Sequence, residues 1–233
     1  MIPLYLSRAR LRATGSVEAL SPLLVSGGHL TPLSAKALVW TLFADERDRR
    51  RDFLWRLDRA GSGRLTGEFL ILSTRPPKDS HQLFDLETKK FAPNLSTGDR
   101  LAFRLRANPV VRRRIAATGR SKKHDVVMDA LRAASADVPR SARRRAAVYD
   151  AGASWVSQQI AKVGGEIYPE HLFIDGYAQI DLPNENGKPL RFSTIDFDGV
   201  LKVTDPERLL HAVSSGFGAS KAYGCGLMLI RRT

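Results

Sequence analysis

The sequence predicts an α+β chain built from two tandem ferredoxin-like (RRM-like) βαββαβ units, with a glycine-rich loop before the last strand. Three observations carry this expectation. Arg100-Leu101-Ala102-Phe103-Arg104-Leu105-Arg106 and other short runs alternate apolar and polar residues with the period of a half-buried strand. Helix-period stretches separate these runs in the order strand, helix, strand, strand, helix, strand, and do so twice. Gly216, Gly218, Gly224 and Gly226 crowd the span 216–227, just ahead of the apolar Leu227-Met228-Leu229-Ile230. The units are expected at 1–109 and 110–233, alike in element order without a visible sequence repeat.

The elements follow in order. Met1 to Arg12 reads as a first strand and Gly15 to Gly28 as loop. Pro32 suits the first turn of a helix, where its missing N–H costs nothing, with Thr31 as N-cap. That helix runs to about Ala44, with Leu33, Lys36, Ala37 and Trp40 on one face. Asp45 to Arg51 is a charged connector. Phe53, Trp55 and Leu57 alternate in a strand, Gly61-Ser62-Gly63 turns, and Glu68 to Thr74 returns until Pro76-Pro77. Asp79 to Phe84 reads as a short helix, and Arg100–Arg106 closes the first unit. Val110 to Arg114 opens the second. His124 to Ala134 and Ser141 to Val163 are helical, stopped by Gly164-Gly165. Two long strands meet at the Asn184-Glu185-Asn186-Gly187 turn, whose Asn-Gly accepts positive φ. Phe192 falls out of phase, which predicts a bulge near Ser193-Thr194. Asp205-Pro206-Glu207 is an N-cap, a first-turn proline and an acid at the positive helix end. This last helix ends at Ser215.

Charge speaks about partners. The 233 residues include 37 Lys and Arg against 24 Asp and Glu, a formal net charge of +13. Such an excess favours nucleic acid or another anionic surface. With 43% hydrophobic residues the chain has a core to bury. The N-terminus does not read as a signal peptide, and no run is apolar enough to cross a bilayer, so a cytoplasmic protein without membrane contact is expected. One cysteine, Cys225, excludes an internal disulfide and a cysteine-based zinc site.

Arg100 to Lys123 holds nine basic residues and no acidic one. Arg104 and Arg106 point to the wet side of their strand. Arg112, Arg113, Arg114, Arg120, Lys122 and Lys123 follow, and they read either as a solvated loop or as a phosphate-binding stretch. Lys188 and Arg191 flank the second-unit hairpin turn. The glycine loop reads either as a tight helix-to-strand turn or as an anion cradle, with Ser220 and Lys221 at its centre. Asp196 and Asp198 share one face of a strand, as outward carboxylates or a weak metal pair. The tryptophans read as core, and no metal or cofactor is expected.

Phe103-Arg104-Leu105-Arg106-Ala107-Asn108-Pro109 and the stretch from Gly216 to Leu227 resemble two signatures of the CRISPR repeat-processing endoribonucleases. The first is similar to an FRLRANP strand end and the second to a G-x-G-x-x-K-x-x-G-x-G-L loop, both of the CasE family belonging to the type I-E Cascade complex. Asp52 to Leu57 and Phe197 to Leu201 add weaker likeness. The resemblance implies binding of the CRISPR repeat hairpin in precursor and mature crRNA, one cut at the hairpin's 3′ base, and assembly with other Cascade subunits. It implies metal-independent attack by the ribose 2′-OH, leaving a 2′,3′-cyclic phosphate and a 5′-OH. The family places a tyrosine and, three positions on, a histidine on the first helix. Leu33 and Lys36 stand there instead. Lys36, assisted by His29, is the expected catalytic group, and Arg104, Arg106, Arg112–Arg114, Arg120, Lys122, Lys123, Lys188, Arg191, Gly216, Gly218, Ser220, Lys221, Gly224 and Gly226 are the expected RNA contacts. A catalytically weak hairpin-binding scaffold of the same complex is the alternative, and a basic RNA-binding module outside CRISPR is the third reading.

Overall fold

A computed structural model describes residues 3–26, 29–44, 50–60, 67–114, 119, 121–133, 140–183, 187 and 189–233. In chain order the elements are β1 (Tyr5–Leu11), α1 (Gly15–Ala19), α2 (Ser21–Leu24), β2 (Val25–Ser26), β3 (His29–Leu30), α3 (Pro32–Thr41), β4 (Phe53–Ala60), β5 (Gly67–Ser73) and β6 (Phe84–Lys90). There follow β7 (Arg100–Ala107), β8 (Val110–Arg114), β9 (Ser121–Asp125), α4 (Val126–Ala133), α5 (Arg140–Ala161), β10 (Gly165–Ile167), β11 (Phe173–Leu182), β12 (Leu190–Val203), α6 (Pro206–Ser215) and β13 (Met228–Arg232). The two larger sheets and the two-stranded β2–β3 and β8–β9 pairs are all antiparallel in a mixed helix-and-sheet architecture. By internal packing the chain divides into Met1–Asn94 with Lys221–Leu227, and Leu95–Ser220 with Met228–Thr233.

The first unit is a four-stranded sheet in the order β4-β5-β1-β6. One face buries Ala9, Leu11, Phe53, Trp55, Phe69, Ile71 and Phe84 against Ala35, Leu38 and Val39 of α3. Phe43 stacks on Phe53 with centroids 4.3 Å apart, and Trp40 meets Phe53 edge-on at 5.0 Å. The inward face of α3 is therefore displaced from the expected one, and Leu33 and Ala37 are exposed. Thr31 caps α3 by accepting from Ser34 N–H at 3.1 Å, with Pro32 in the first turn as expected. The other sheet face carries Arg8, Arg10 and Arg12, paired with Glu87, Glu68 and Asp85. RRM-type sheets present aromatic rings to stack on bases. Here Phe53, Trp55, Phe69 and Phe84 are all buried, and a charge ladder occupies the outer face.

Three expectations for this half are corrected. Asp79–Phe84 is not a helix: Asp79 accepts from Leu83 N–H at 3.0 Å and Phe84 N–H at 2.8 Å, a turn that feeds straight into β6. The fourth strand is β6, whose Phe84-Asp85-Leu86-Glu87-Thr88-Lys89-Lys90 is too polar to stand out by alternation and suits a protected sheet edge. Gly15–Gly28 contains α1, α2 and β2 rather than loop alone.

The second unit's sheet runs β10-β12-β7-β13, with β11 also on β12. β7 is its opening strand, hydrogen-bonded to β12 and β13, and so does not close the first unit. Val110–Arg114 is not the opening strand either; it pairs with β9 in a separate two-stranded ribbon. The alternation of β7 is as expected: Leu101, Phe103, Leu105 and Ala107 are buried, while Arg104 is exposed and Arg106 half-buried. Phe197 and Trp155 of α5 stack at 5.8 Å in the core, with Ile195, Leu201, Val203, Leu209 and Val213 around them. Asp205 caps α6 by accepting from Arg208 N–H at 3.1 Å. His124 and Asp125 belong to β9, and helix starts at Val126. The bulge lies between Asp175 and Ala178 of β11, not at Ser193-Thr194, which stay in register with Gln179 and Ala178. The turns expected at 61–63 and 184–186 lie outside the described residues. Truncating Phe197 to Ala deletes the centre of this core and should lower unfolding free energy by roughly 3–5 kcal/mol in urea denaturation.

Candidate nucleic-acid interface and cationic cluster

The glycine loop divides between two packing environments. Residues 216–220 pack in the second unit, and the next seven, Lys221–Leu227, in the first. In the second unit Asn108, at the end of β7, holds the loop. Its Nδ2 donates to Ser220 Oγ at 2.7 Å, and its carbonyl accepts from Ala219 N–H at 3.2 Å. Asn108 is 5% exposed, so both bonds replace lost water. Ser220 takes φ 53°, a left-handed conformation that few residues other than glycine adopt. Gly218 has φ 74°, and a Cβ there would lie 2.8 Å from the Asn108 carbonyl oxygen and 3.3 Å from Trp155. The two motifs singled out in the sequence thus touch one another. Gly218 is glycine because the β7 end passes too close for a side chain.

In the first unit Lys221–Tyr223 forms a single 3-10 turn packed on α3 and β4. Lys36 Nζ lies 5.4 Å from the centroid of the Tyr223 ring, a cation–π contact. Lys221 is half-buried, and burial, with the charge of Arg51 in the same direction, holds its ammonium below the usual lysine range. Burial likewise lowers Arg51. Arg51 Nη1 is buried with no hydrogen-bond partner among the described residues. Burial lowers both groups and the charge of Arg51 adds to the lowering of Lys221, so a nearby anion would favour their charged forms. Gly224 fits beneath Trp55, 3.0 Å from where a Cβ would fall, and Cys225 is fully buried. Gly216, Gly224 and Gly226 also take positive φ. The glycines shape a packed turn, and the charge chemistry sits on Lys221 and its neighbours.

Sequence reasoning missed Tyr223 and Arg51. Tyr223 lies two places after Lys221 in a loop whose approach to α3 no periodicity reports, and Arg51 ends a connector read only as charged. His29 lies in β3 opposite Ser26; its side chain lies outside the described residues, as do Arg120 and Lys188.

The expected RNA contacts separate into two kinds. Arg106 makes a two-pronged ion pair with Asp196 at 2.8 and 2.7 Å, and Arg104 pairs with Asp198 at 2.9 Å. The two aspartates face outward together, as predicted, with guanidiniums as their partners. The Arg191–Asp181 pair, 2.8 Å, closes across β11 and β12. The β8–β9 ribbon is the other kind. Its register sets Arg112 opposite Lys123 and Arg113 opposite Lys122, all exposed. Like charges directly opposite on a ladder destabilise it by up to about 1 kcal/mol per pair. Arg113 pairs with Asp129 of α4 at 2.6 Å; among the described residues Arg112, Arg114, Lys122 and Lys123 have no ion pair. Replacing Asn108 with Ala strands the Ser220 hydroxyl and should cost about 1–3 kcal/mol of stability, read from the shift of the urea midpoint.

The family model described as CRISPR associated protein matches residues 4–232. The chain is 30% identical over 196 residues to the CRISPR-associated endoribonuclease Cse3 of Thermus thermophilus, covering 78% of this chain and 80% of that one. It is 28% identical over 198 residues to the CRISPR system Cascade subunit CasE of Escherichia coli, covering 82% and 86%. A solved structure of CRISPR endoribonuclease Cse3 bound to a 19 nt RNA superposes with TM-score 0.67 at 23% identity, over 98% of this chain and 99% of that one, and so shares the fold.

Proposed function

This chain belongs to the CRISPR associated protein family, and we propose that it is an endoribonuclease that binds the hairpin of CRISPR repeat RNA. It cuts the precursor once at the 3′ base of that hairpin and stays on the mature crRNA as a cytoplasmic Cascade subunit. The names of both relatives support this reading, and family membership sets aside a basic module outside CRISPR. The two sheets are read as tandem ferredoxin-like units. Their support is a shared spatial order of second, third, first and fourth strand, β4-β5-β1-β6 and, with the added β11 set aside, β10-β12-β7-β13.

The observation that carries the site is the meeting of Lys36, Tyr223, Lys221 and Arg51 within the first unit. Attack of the 2′-OH on its neighbouring phosphate forms a phosphorane with added negative charge. The 2′-OH proton must leave, and the departing 5′-oxygen must gain one. Lys221 and Arg51 are half-buried cations suited to the phosphorane, where low polarity strengthens their effect. The Lys36 ammonium, fixed against Tyr223, is placed to stabilise the same charge or protonate the 5′-oxygen. His29 precedes α3 and is the imidazole proposed to take the 2′-OH proton. None of these steps calls for a metal, so cleavage is proposed to be metal-independent. Tyr223 supplies from the loop a phenol that the resemblance places at the Leu33 position.

The ribbon is the proposed hairpin cradle, with Arg112, Arg114, Lys122 and Lys123 on phosphates and Arg120 and Lys188 as further contacts. Arg104, Arg106 and Arg191 contribute where phosphate displaces their aspartates. A second reading, a hairpin-binding scaffold with weak cleavage, is favoured by one observation: Leu33 and Lys36 replace the family's tyrosine and histidine. Single-turnover cleavage of the cognate repeat separates the two. Lys36→Ala should slow cleavage roughly 100-fold or more, His29→Ala should slow it as well, and both should bind the hairpin as the parent does. Unchanged rates in both variants would remove these residues from the chemistry. No cleavage by the parent chain, with tight binding, would select the scaffold.

A further inference from the structure

An isolated two-stranded ribbon is marginal in water, and the β8–β9 ribbon also sets cation opposite cation. Something must hold it. Asp125 is the last residue of β9, paired with Val110 at the ribbon's base. Its Oδ1 accepts from Met128 N–H at 2.7 Å, opening α4, and from the Tyr177 hydroxyl at 3.4 Å. Its Oδ2 accepts from the hydroxyl of Ser193, which is 3% exposed on β12. One carboxylate therefore joins the ribbon, α4 and both long strands of the second unit.

The bulge in β11 has its reason here. The register shifts between Asp175 and Ala178, and Gly176 takes φ 65°. Bulges re-aim the side chains beside them, and the displaced Tyr177 reaches Asp125. The Arg144 guanidinium lies 5.3 Å from the Tyr177 ring centroid and braces it from α5. Burial first, then the Asp125 charge, pushes the Tyr177 phenol up to about 12, so it remains a donor at neutral pH. A second tie, Arg113 to Asp129, joins the ribbon to α4.

We propose that Asp125, through Tyr177 and Ser193, is a positioning residue that holds the β8–β9 ribbon in the orientation in which its cations meet the RNA backbone. This rests on the reading of the ribbon as the hairpin cradle. The decisive variant is Tyr177→Phe with Ser193→Ala, which removes both hydroxyls from the sheet end and leaves Asp125 to cap α4. Hydrogen–deuterium exchange on the full chain should show amides of 110–114 and 121–125 exchanging roughly 10-fold faster, the loss of two modest hydrogen bonds. Amides of the β7–β12 pair should keep their protection. The repeat hairpin should bind roughly 10-fold more weakly, and the log-log salt slope should shrink by about 1–2, one or two phosphate contacts. Single-turnover cleavage at saturating protein should keep its rate, which separates positioning from general damage. Unchanged exchange in the ribbon would overturn the proposal, as would faster exchange with affinity and salt slope intact. Arg112→Ala with Lys123→Ala tests the cradle on its own. Parent-like binding by that variant would overturn the cradle reading and the positioning role with it, whereas weakened binding there and intact binding in the hydroxyl variant would overturn the positioning role alone.

Discussion

The hold of Asn108 on the glycine loop is the constraint on which the second unit's part of that loop depends. Asn108 ends the central strand of the second sheet, and its amide and carbonyl fix Ser220 and Ala219. That close approach leaves no room for a Cβ at Gly218 and keeps Ser220 at positive φ. In the first unit the next three residues, Lys221–Tyr223, form a turn packed on α3 and β4. A strand end and a loop far along the chain thus act as one structural device.

The net positive charge is distributed with a purpose that its total conceals. On the outer face of the first sheet and across β7 and β12, arginines are matched by carboxylates on neighbouring strands. Surface pairs of this kind add little stability, but they neutralise the faces they cover. The β8–β9 ribbon is different: among the described residues its Arg112, Arg114, Lys122 and Lys123 have no ion pair. Cation stands opposite cation along that ribbon, and in the first unit the charge of Arg51 acts on Lys221. An RNA backbone would relieve the strain in both.

Much of this was legible in the sequence, for physical reasons that also mark its limits. Local rules placed Thr31 and Asp205 as caps, and the inward side of β7 and the outward pair Asp196 and Asp198 were read correctly, because capping and alternation are properties of short segments. Which sheet β7 joins was not legible, since pairing is decided by partners far along the chain. The polar edge strand β6 gave no alternating signal. The β11 bulge was placed on the wrong strand because Phe192 breaks the pattern while staying in register, and the true irregularity hides in the small residue Gly176 beside Tyr177. At the site, Lys36 and Lys221 were singled out by position in a motif, while their neighbours Tyr223 and Arg51 were joined to them only by tertiary packing.

The most direct test of 2′-OH attack at this cationic cluster is cleavage, in EDTA, of two repeat hairpins that differ only by a 2′-deoxyribose on the 5′ side of the scissile phosphate. Both should bind equally. The all-ribose hairpin should be cut to a 2′,3′-cyclic phosphate and a 5′-OH end, and the deoxy hairpin should stay intact. Cleavage of the deoxy hairpin, or cleavage of the all-ribose hairpin only when a divalent cation is added, would contradict it.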